Sequence, residues 1–151
     1  MSSLSYIKFA EKYKSELTKM IFTLYEENIE CERINNKKID DTIAFLNANP
    51  SSGTINMITI NEVIIGYFLI VNYWSNEFGG QLAFIDELFI KEEYRSKNYG
   101  SEFIKLFIEN NKTYYKAIFL EVFPSNKKAY NFYMRNGFIE NEGKYLIYKM
   151  Q

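Results

Sequence analysis

The segment that most constrains the fold lies between residues 81 and 123, where strand and helix signals alternate. Residues 81–90 form an apolar run typical of a strand, and residues 117–123 form a second one. Between them, residues 100–111 have the apolar spacing of one helix face, carried by Phe103, Ile104, Phe107 and Ile108. A helix that crosses between two strands of one sheet makes those strands parallel. We therefore expect a sheet with at least one parallel strand pair.

The remaining strands are expected to pair antiparallel. Residues 54–60 and 63–73 are rich in β-branched and aromatic side chains. The Asn61-Glu62 pair between them suits a tight hairpin turn. We also predict a first strand over residues 4–9 and a terminal hairpin over residues 138–150.

Three more helices are predicted, over residues 11–27, 35–47 and 126–136. The last of them begins after Pro124 and ends at the C-cap signal Asn136-Gly137. The chain of 151 residues is long enough to bury a sizeable core. We expect a single α+β domain over residues 1–151, with a mixed, mostly antiparallel sheet of six to seven strands flanked by about four helices.

Charge and composition argue against several classes of function. The formal net charge is −1, from 18 basic and 19 acidic side chains, which argues against nucleic-acid binding by phosphate neutralisation. Histidine is absent and Cys31 is the only cysteine, so we expect no metal site and interpret Cys31 as a buried structural thiol. No apolar run reaches the length of a membrane span, and we expect a cytoplasmic protein.

A polar loop joins the strand at residues 81–90 to the following helix and has the character of a phosphate site. It comprises Arg95, Ser96, Lys97, Asn98, Tyr99, Gly100 and Ser101. A strand that opens through such a loop directly into a helix presents free backbone N–H groups and the positive end of the helix dipole. The loop lacks the Gly-Lys-Ser/Thr ending of a P-loop and the three glycines of a dinucleotide fingerprint.

A second motif follows over residues 126–138, formed by Asn126, Ala129, Phe132, Tyr133, Gly137 and Phe138. Together with Arg95, Asn98 and Gly100 of the loop, this motif resembles the GNAT family of N-acetyltransferases, which move an acetyl group from acetyl-coenzyme A to an amine. The resemblance implies that residues 95–101 hold the coenzyme pyrophosphate. Asn98 stands where the family pattern has a glycine, and asparagine is among the residues that best tolerate a positive φ.

The same resemblance assigns roles to individual residues. It implies that the backbone of Leu88, Phe89 and Ile90 binds the pantetheine arm of acetyl-coenzyme A as an added strand would. Tyr133 matches the family's tyrosine near the coenzyme sulfur and is the expected general acid. Asn126 is expected to bind the pantetheine arm, or alternatively to cap the last helix.

Two adjacent carboxylates, Asp86 and Glu87, interrupt the apolar strand at residues 81–90. Successive residues of a strand face opposite sides, so both can face one pocket only if a β-bulge intervenes. We predict that at least one of them receives the acceptor amine, as base or as binder, and a structural salt bridge is the alternative for either. Similarity to small-amine acetyltransferases adds Glu77 and Phe84 to Asp86 as expected acceptor-binding residues.

The resulting prediction is an acetyl-coenzyme A-dependent N-acetyltransferase that acetylates a primary amine of a small molecule by direct transfer in a ternary complex. The resemblance implies polyamines, aminoglycosides or amino-acid-like amines as acceptors. One alternative is acetylation of a protein N-terminus or lysine, and another is a non-catalytic module that binds coenzyme A. We expect no metal, nucleic-acid or membrane partner, and the aromatic surface is compatible with a homodimer.

Overall fold

The computed structural model describes residues 3–150, so residues 1, 2 and 151 of the predicted domain lie outside it. The strands are β1 (Leu4–Lys8), β2 (Gly53–Ile60), β3 (Val63–Ser75), β4 (Gly80–Ile90) and β5 (Tyr115–Phe119). The α-helices are α1 (Lys14–Glu27), α2 (Asn36–Ala48), α3 (Tyr99–Asn111) and α4 (Lys127–Arg135). Short 3₁₀ turns precede α1 at Glu11–Tyr13 and follow β4 at Glu92–Tyr94. The predicted α+β class and the four helices are confirmed for this part of the chain.

The strands form one mixed sheet in the order β1-β2-β3-β4-β5. The first three pairings are antiparallel, and β4 and β5 are parallel because α3 crosses between them. The tight turn between β2 and β3 is confirmed at Asn61 and Glu62, whose φ angles are 48° and 70°. Two positive φ angles give a turn whose twist matches that of the flanking strands.

The prediction of six to seven strands is wrong, because residues 3–150 contain five. Residues 138–150 have the aromatic pattern of a hairpin but form no strand, and Leu146 and Tyr148 are 93% and 89% exposed. Two strands without a buried face are marginally stable in water. The strand predicted at residues 117–123 is β5, which begins two residues earlier and ends at Phe119, its last partner position on β4.

Both faces of the sheet are covered by helices. On one face, Tyr67 and Leu69 of β3 belong to a buried cluster that includes Leu17 of α1 and Ile43 of α2. On the other face, Phe68 packs against two rings of α3, with its centroid 4.6 Å from that of Phe103 and 5.5 Å from that of Phe107. The alternation of β3 residues between the two faces is what the pleated backbone requires.

The sheet opens along the edge between β4 and β5. Within residues 3–150, β5 pairs with β4 only from Gln81 to Phe84. From Ile85 to Ile90, β4 keeps its antiparallel partner β3 but has no strand on its other side. A free strand edge with unpaired backbone groups therefore lies beside the loop that leads into α3.

Candidate active site

A β-bulge in β4 sets the geometry of the site. Leu69 of β3 pairs with Glu87, and Ile70 pairs with Ile85, which leaves Asp86 as the extra residue. In a regular ladder Ile85 and Glu87 would share a face, and Ile85 belongs to the buried cluster under α3. The bulge instead turns Glu87 toward α1, so that Asp86 and Glu87 line the same cleft. The bulge that the sequence required for this arrangement is therefore present.

Glu87 is buried and accepts two tyrosine hydroxyls. The Tyr25 hydroxyl donates to Oε2 at 2.7 Å, and the Tyr67 hydroxyl donates to Oε1 at 2.9 Å. Burial raises the pKa of Glu87, while the two hydroxyl donors stabilise its carboxylate and oppose that rise. Burial and the charge of Glu87 also raise the pKa of both tyrosines, which keeps them protonated as donors.

Asp86 lies beside Glu87 at the solvent-exposed mouth of the cleft. Desolvation by the surrounding protein and the charge of Glu121 raise the pKa of Asp86. Cys31 is half-buried rather than fully buried as predicted, and the charges of Glu87 and Glu121 reach its thiol. Burial and the charge of Glu87 raise the pKa of the Cys31 thiol, and a thiol with a raised pKa is a poor nucleophile.

A cleft of about 710 Å³ extends from these two carboxylates between α1, α2 and the sheet. Its walls are largely apolar, with Ile21 from α1, Ile43 from α2, and Leu69 and Val71 from β3 among the lining residues. A cleft of this size lies within the usual range for small-molecule sites. Sequence reasoning missed the part played by α2, since the only signal was the apolar stripe of an amphipathic helix.

The structure leaves two of the predicted acceptor residues outside the cleft walls. Glu77 is exposed in the turn between β3 and β4, and Phe84 is half-buried on β4 opposite Val71. Two residues that were not predicted, Tyr25 and Tyr67, contact Glu87 instead. They lie 62 and 20 residues from Glu87 in the sequence, so no local pattern points to them.

The free edge of β4 presents backbone groups of alternate residues. The backbone N–H of Lys91 donates to the carbonyl of Ile65 on β3, at 2.8 Å. Alternate residues of an antiparallel strand direct their backbone groups to the same neighbour, so Phe89 also faces β3. Leu88 and Ile90 therefore direct theirs to the open side, where the Ile90 carbonyl accepts a hydrogen bond from Arg95.

The loop after β4 turns through two residues with positive φ. Asn98 has a φ of 69°, in the left-handed region that asparagine tolerates, and Ser96 has a φ of 59°, which the sequence did not indicate. Asn98 is the N-cap of α3 but makes no side-chain cap, and the first helical hydrogen bond runs from Glu102 N to Asn98 O. The backbone N–H groups of residues 99–101 lie before that hydrogen bond and have no acceptor within the helix. Such N–H groups are the ones that bind an anion at a helix N-terminus.

Arg95 connects the loop to β4 and α1. Its Nε donates to the carbonyl of Ile90 at 2.7 Å, and its Nη2 donates to the two carboxylate oxygens of Glu27 at 3.0 and 3.1 Å. The guanidinium carbon also lies 5.1 Å from the ring centroid of Phe89. Lys97, the second cation of the loop, is exposed above the ring of Tyr94. Arg95 thus shapes the loop, while Lys97 remains accessible to an anion.

The second sequence motif meets the first at the start of α3. A Cβ added to Gly100 would lie 3.1 Å from the ring of Phe132, so α4 packs directly on the N-terminal turn of α3. Tyr133 packs between Phe132 and Phe138, with ring centroids 5.0 and 5.3 Å away. Burial raises the pKa of the Tyr133 hydroxyl.

Asn126 begins α4 and links it to α1. Its side-chain oxygen accepts a hydrogen bond from the backbone N–H of Ala129 at 3.1 Å, which confirms its role as a helix cap. Its amide also donates to the side-chain oxygen of Asn28 at 3.3 Å. The cap fixes the start of the helix that carries Tyr133.

No group of three or more His, Cys, Asp or Glu side chains within residues 3–150 is arranged to hold a metal ion. In that part of the chain, no helix has both the length and the apolar content that a bilayer crossing needs.

The described residues thus combine a mixed sheet that opens between β4 and β5 with the N-terminus of α3 beside that opening. The model described as the Acetyltransferase (GNAT) family matches residues 19–138, and the chain belongs to that family. Members of this family use acetyl-coenzyme A as the acetyl donor. A search of curated protein sequences finds no match.

Solved structures show the same fold at low sequence identity. A possible acetyltransferase from Clostridium difficile 630 superposes with a TM-score of 0.82 at 15% identity, covering 98% of each chain. An aminoglycoside acetyltransferase from an uncultured soil metagenomic sample gives 0.70 at 15% identity, covering 98% of this chain and 97% of that one. A ribosomal-protein-alanine N-acetyltransferase from Brucella melitensis biovar Abortus 2308 gives 0.71 at 9% identity, covering 97% and 100%. At 9 to 15% identity these neighbours establish the fold alone.

Proposed function

We propose that the protein is an acetyl-coenzyme A-dependent N-acetyltransferase that acetylates a primary amine of a small molecule in a ternary complex. One observation carries the proposal. The carboxylates Asp86 and Glu87 at the end of the cleft and the open backbone edge at Leu88 and Ile90 are adjacent on β4. An amine held in the cleft and an acetyl donor held along the edge would therefore meet at this strand.

The residues on the donor side fit acetyl-coenzyme A, which supplies the acetyl group as an activated thioester. The backbone of Leu88 and Ile90 offers hydrogen-bond partners to the pantetheine amides along the free edge of β4. The N-terminus of α3 offers N–H groups and a positive dipole end to the pyrophosphate, and Lys97 adds a positive charge. Arg95 supports this side by holding the loop in position.

Two side chains would carry the proton transfers. Asp86, directly or through water, accepts a proton from the acceptor ammonium, which frees the nitrogen lone pair to attack the thioester carbonyl. As the C–N bond forms and the C–S bond breaks, Tyr133 donates its hydroxyl proton to the departing thiolate. The nitrogen releases a second proton, which restores the Tyr133 hydroxyl through water. The proton on Asp86 passes to solvent, so the reaction releases one proton overall.

Glu87 is a positioning residue in this scheme. Its carboxylate is fixed by the hydroxyls of Tyr25 and Tyr67, and it has no salt-bridge partner among residues 3–150. A fixed, uncompensated negative charge next to Asp86 attracts the acceptor ammonium. The raised pKa of Tyr133 keeps its hydroxyl protonated at neutral pH, as a general acid requires.

The Tyr133→Phe variant tests the general acid. We expect kcat to fall about 10²-fold, because the thiolate would leave without a proton donor, while the KM for acetyl-coenzyme A changes less than twofold. Free thiol release with a panel of primary amines measures both constants. The Tyr130→Phe variant is the matched control, since the Tyr130 hydroxyl is exposed on the same helix. An unchanged kcat in Tyr133→Phe would remove this residue from the mechanism.

The same amine panel separates the proposal from its two alternatives. Acetylation of small amines with no acetylation of peptides is expected. Preferred acetylation of peptide N-termini or lysines would favour a protein acetyltransferase. Binding of coenzyme A in calorimetry without turnover of any amine or peptide would favour a non-catalytic coenzyme A-binding module.

A further inference from the structure

Apolar side chains from α1, α2, β2 and β3 form most of the wall of the cleft. Helix α2 contributes Ile39 and Phe45, α1 contributes Ile21, and the strands contribute Ile55 and Val71. When a hydrocarbon group covers such a surface, both lose contact with water, and this makes the free energy of binding more favourable. The volume of about 710 Å³ leaves room for several carbon atoms beyond an amine.

Unpaired negative charge is confined to Asp86 and Glu87 among the residues that line the cleft. Among the other charged lining residues, Lys38 donates its Nζ to the carbonyl of Arg33, and Asp41 is paired with Lys37. Asp86 and Glu87 have no basic partner among the salt bridges of residues 3–150. The cleft is therefore complementary to a cation at one end and to apolar matter along the rest.

The neighbouring glutamates Glu27, Glu30, Glu32 and Glu121 do not line the cleft. Glu27 binds Arg95, Glu30 accepts the hydroxyl of Ser125, and Glu32 is paired with Lys149. A polycation would need several free carboxylates spaced along its length. The cleft lining offers one free acidic pair next to an apolar wall, which favours a single positive charge.

We propose that the acceptor is a primary amine carried on an apolar body, such as an alkylamine or an arylalkylamine, with the ammonium at Asp86 and Glu87 and the hydrocarbon between α1, α2 and β3. This inference rests on the proposed function, because it names the substrate class of the same site. A second ammonium on the far end of the molecule would lie against apolar walls without a partner, and burying an unpaired charge is costly.

Hexylamine and hexamethylenediamine test the proposal, because they have equal length and differ only in the second amine. We expect kcat/KM for hexylamine to exceed that for hexamethylenediamine and for spermidine by at least about tenfold. Lengthening the acceptor from propylamine to hexylamine should raise kcat/KM by up to about fourfold per methylene, through KM rather than kcat. Equal or faster acetylation of the diamine or spermidine would overturn the proposal.

Two valines of β3 provide a matched pair of variants. Val71 lines the cleft and is 39% exposed, while Val63 lies outside it and is 53% exposed. Val71→Thr places a hydroxyl in the apolar wall and should reduce the preference for hexylamine over propylamine about threefold, whereas Val63→Thr should leave it unchanged. Equal preferences in the two variants would overturn the assignment of this wall.

A binding measurement separates the inference from the proposed function. Calorimetric titration of hexylamine into the protein in the presence of coenzyme A reports on the cleft without acetyl transfer. Binding of hexylamine without turnover of any amine would overturn the acetyltransferase activity and support the apolar cleft. Turnover of polyamines with no binding of hexylamine would overturn the cleft assignment and support the activity. Neither binding nor turnover would overturn both.

Discussion

At the scale of single residues, backbone conformation decides whether the loop before α3 can form. Ser96 and Asn98 both have positive φ angles, which L side chains rarely adopt. Asparagine reaches this region at lower cost than most residues, and serine less readily. The loop therefore stores some strain at Ser96 that a glycine would not.

Asn98 provides a direct test of this conformation. Asn98→Ala should lower the free energy of unfolding by about 1 kcal/mol and raise the KM for acetyl-coenzyme A severalfold, because alanine disfavours the left-handed region. Asn98→Gly should keep both values near those of the wild type, since glycine adopts this φ freely. Urea unfolding and steady-state kinetics measure the two effects. If both variants behave alike, the backbone angle is not what matters at this position.

Asp86 carries the second prediction at this scale. Asp86→Asn should lower kcat/KM about 10²-fold at pH 7, because the amine would lose its proton acceptor. The loss of kcat/KM relative to the wild type should shrink about tenfold for each unit that the pH rises, because more of the amine is already neutral in solution. A pH profile of kcat/KM checks this, with Glu62→Gln as a control carboxylate in the exposed β2–β3 turn. A deficit that is independent of pH would indicate a role in binding instead of proton transfer.

At the scale of elements, the bulge in β4 is the feature that creates the site. It adds one residue to β4 between the partners of Leu69 and Ile70, so the flanking residues keep their faces. Ile85 remains in the cluster under α3, and Glu87 remains opposite α1. The bulge therefore places a second carboxylate in the cleft without disturbing the core.

Deletion of Asp86 tests this account of the bulge. Removing the extra residue leaves a regular ladder in which Glu87 and Ile85 keep their partners, so the free energy of unfolding should change by about 1 kcal/mol or less. Acetyl transfer should fall to the level of Asp86→Asn or below. Deletion of Leu88 is the comparison, because it shifts the following residues to the opposite face and should unfold the strand. Circular dichroism and urea unfolding distinguish them, and equal destabilisation would contradict the bulge assignment.

At the scale of the whole molecule, the acidic pair of buried Glu87 and exposed Asp86 links stability to pH. The pKa values of Asp86 and Glu87 are both raised in the folded state, mainly by burial. Between the unfolded pKa values near 4 and the folded values, the folded chain binds more protons than the unfolded chain. The contribution of this pair to stability is therefore full at low pH and is lost as pH rises through the folded pKa values.

Glu87→Gln should remove the share of this pH dependence that belongs to Glu87. The amide oxygen still accepts a tyrosine hydroxyl, so the fold should persist, while the decline of unfolding free energy with rising pH becomes shallower. Urea unfolding at a series of pH values from 4 to 8 measures the slope. Glu62→Gln, an exposed carboxylate, should keep the wild-type slope. A slope unchanged in Glu87→Gln would mean that burial does not perturb this carboxylate.

Much of the architecture follows from local sequence. The hydrophobic periods of residues 63–73 and 100–111 predict a strand and a helix because each depends on neighbouring side chains alone. The tight turn at Asn61 and Glu62 was predicted from its position between two strand patterns, and Asn98 has a conformation that asparagine tolerates. The terminal hairpin was predicted from the same kind of pattern and is absent over residues 138–150, since a strand also needs a surface to bury.

By itself, the sequence determined the elements, the helix N-terminus that follows Asn98 and the two motifs that identify the family. Tertiary structure alone decided what surrounds the acidic pair. The tyrosines on Glu87, the ion pair between Arg95 and Glu27, and the wall supplied by α2 join residues far apart in the chain. Periodicity reports which face of an element is buried, but the partner on that face is set by packing. The loop between β4 and α3 was therefore readable from sequence, whereas the shape of the cleft was not.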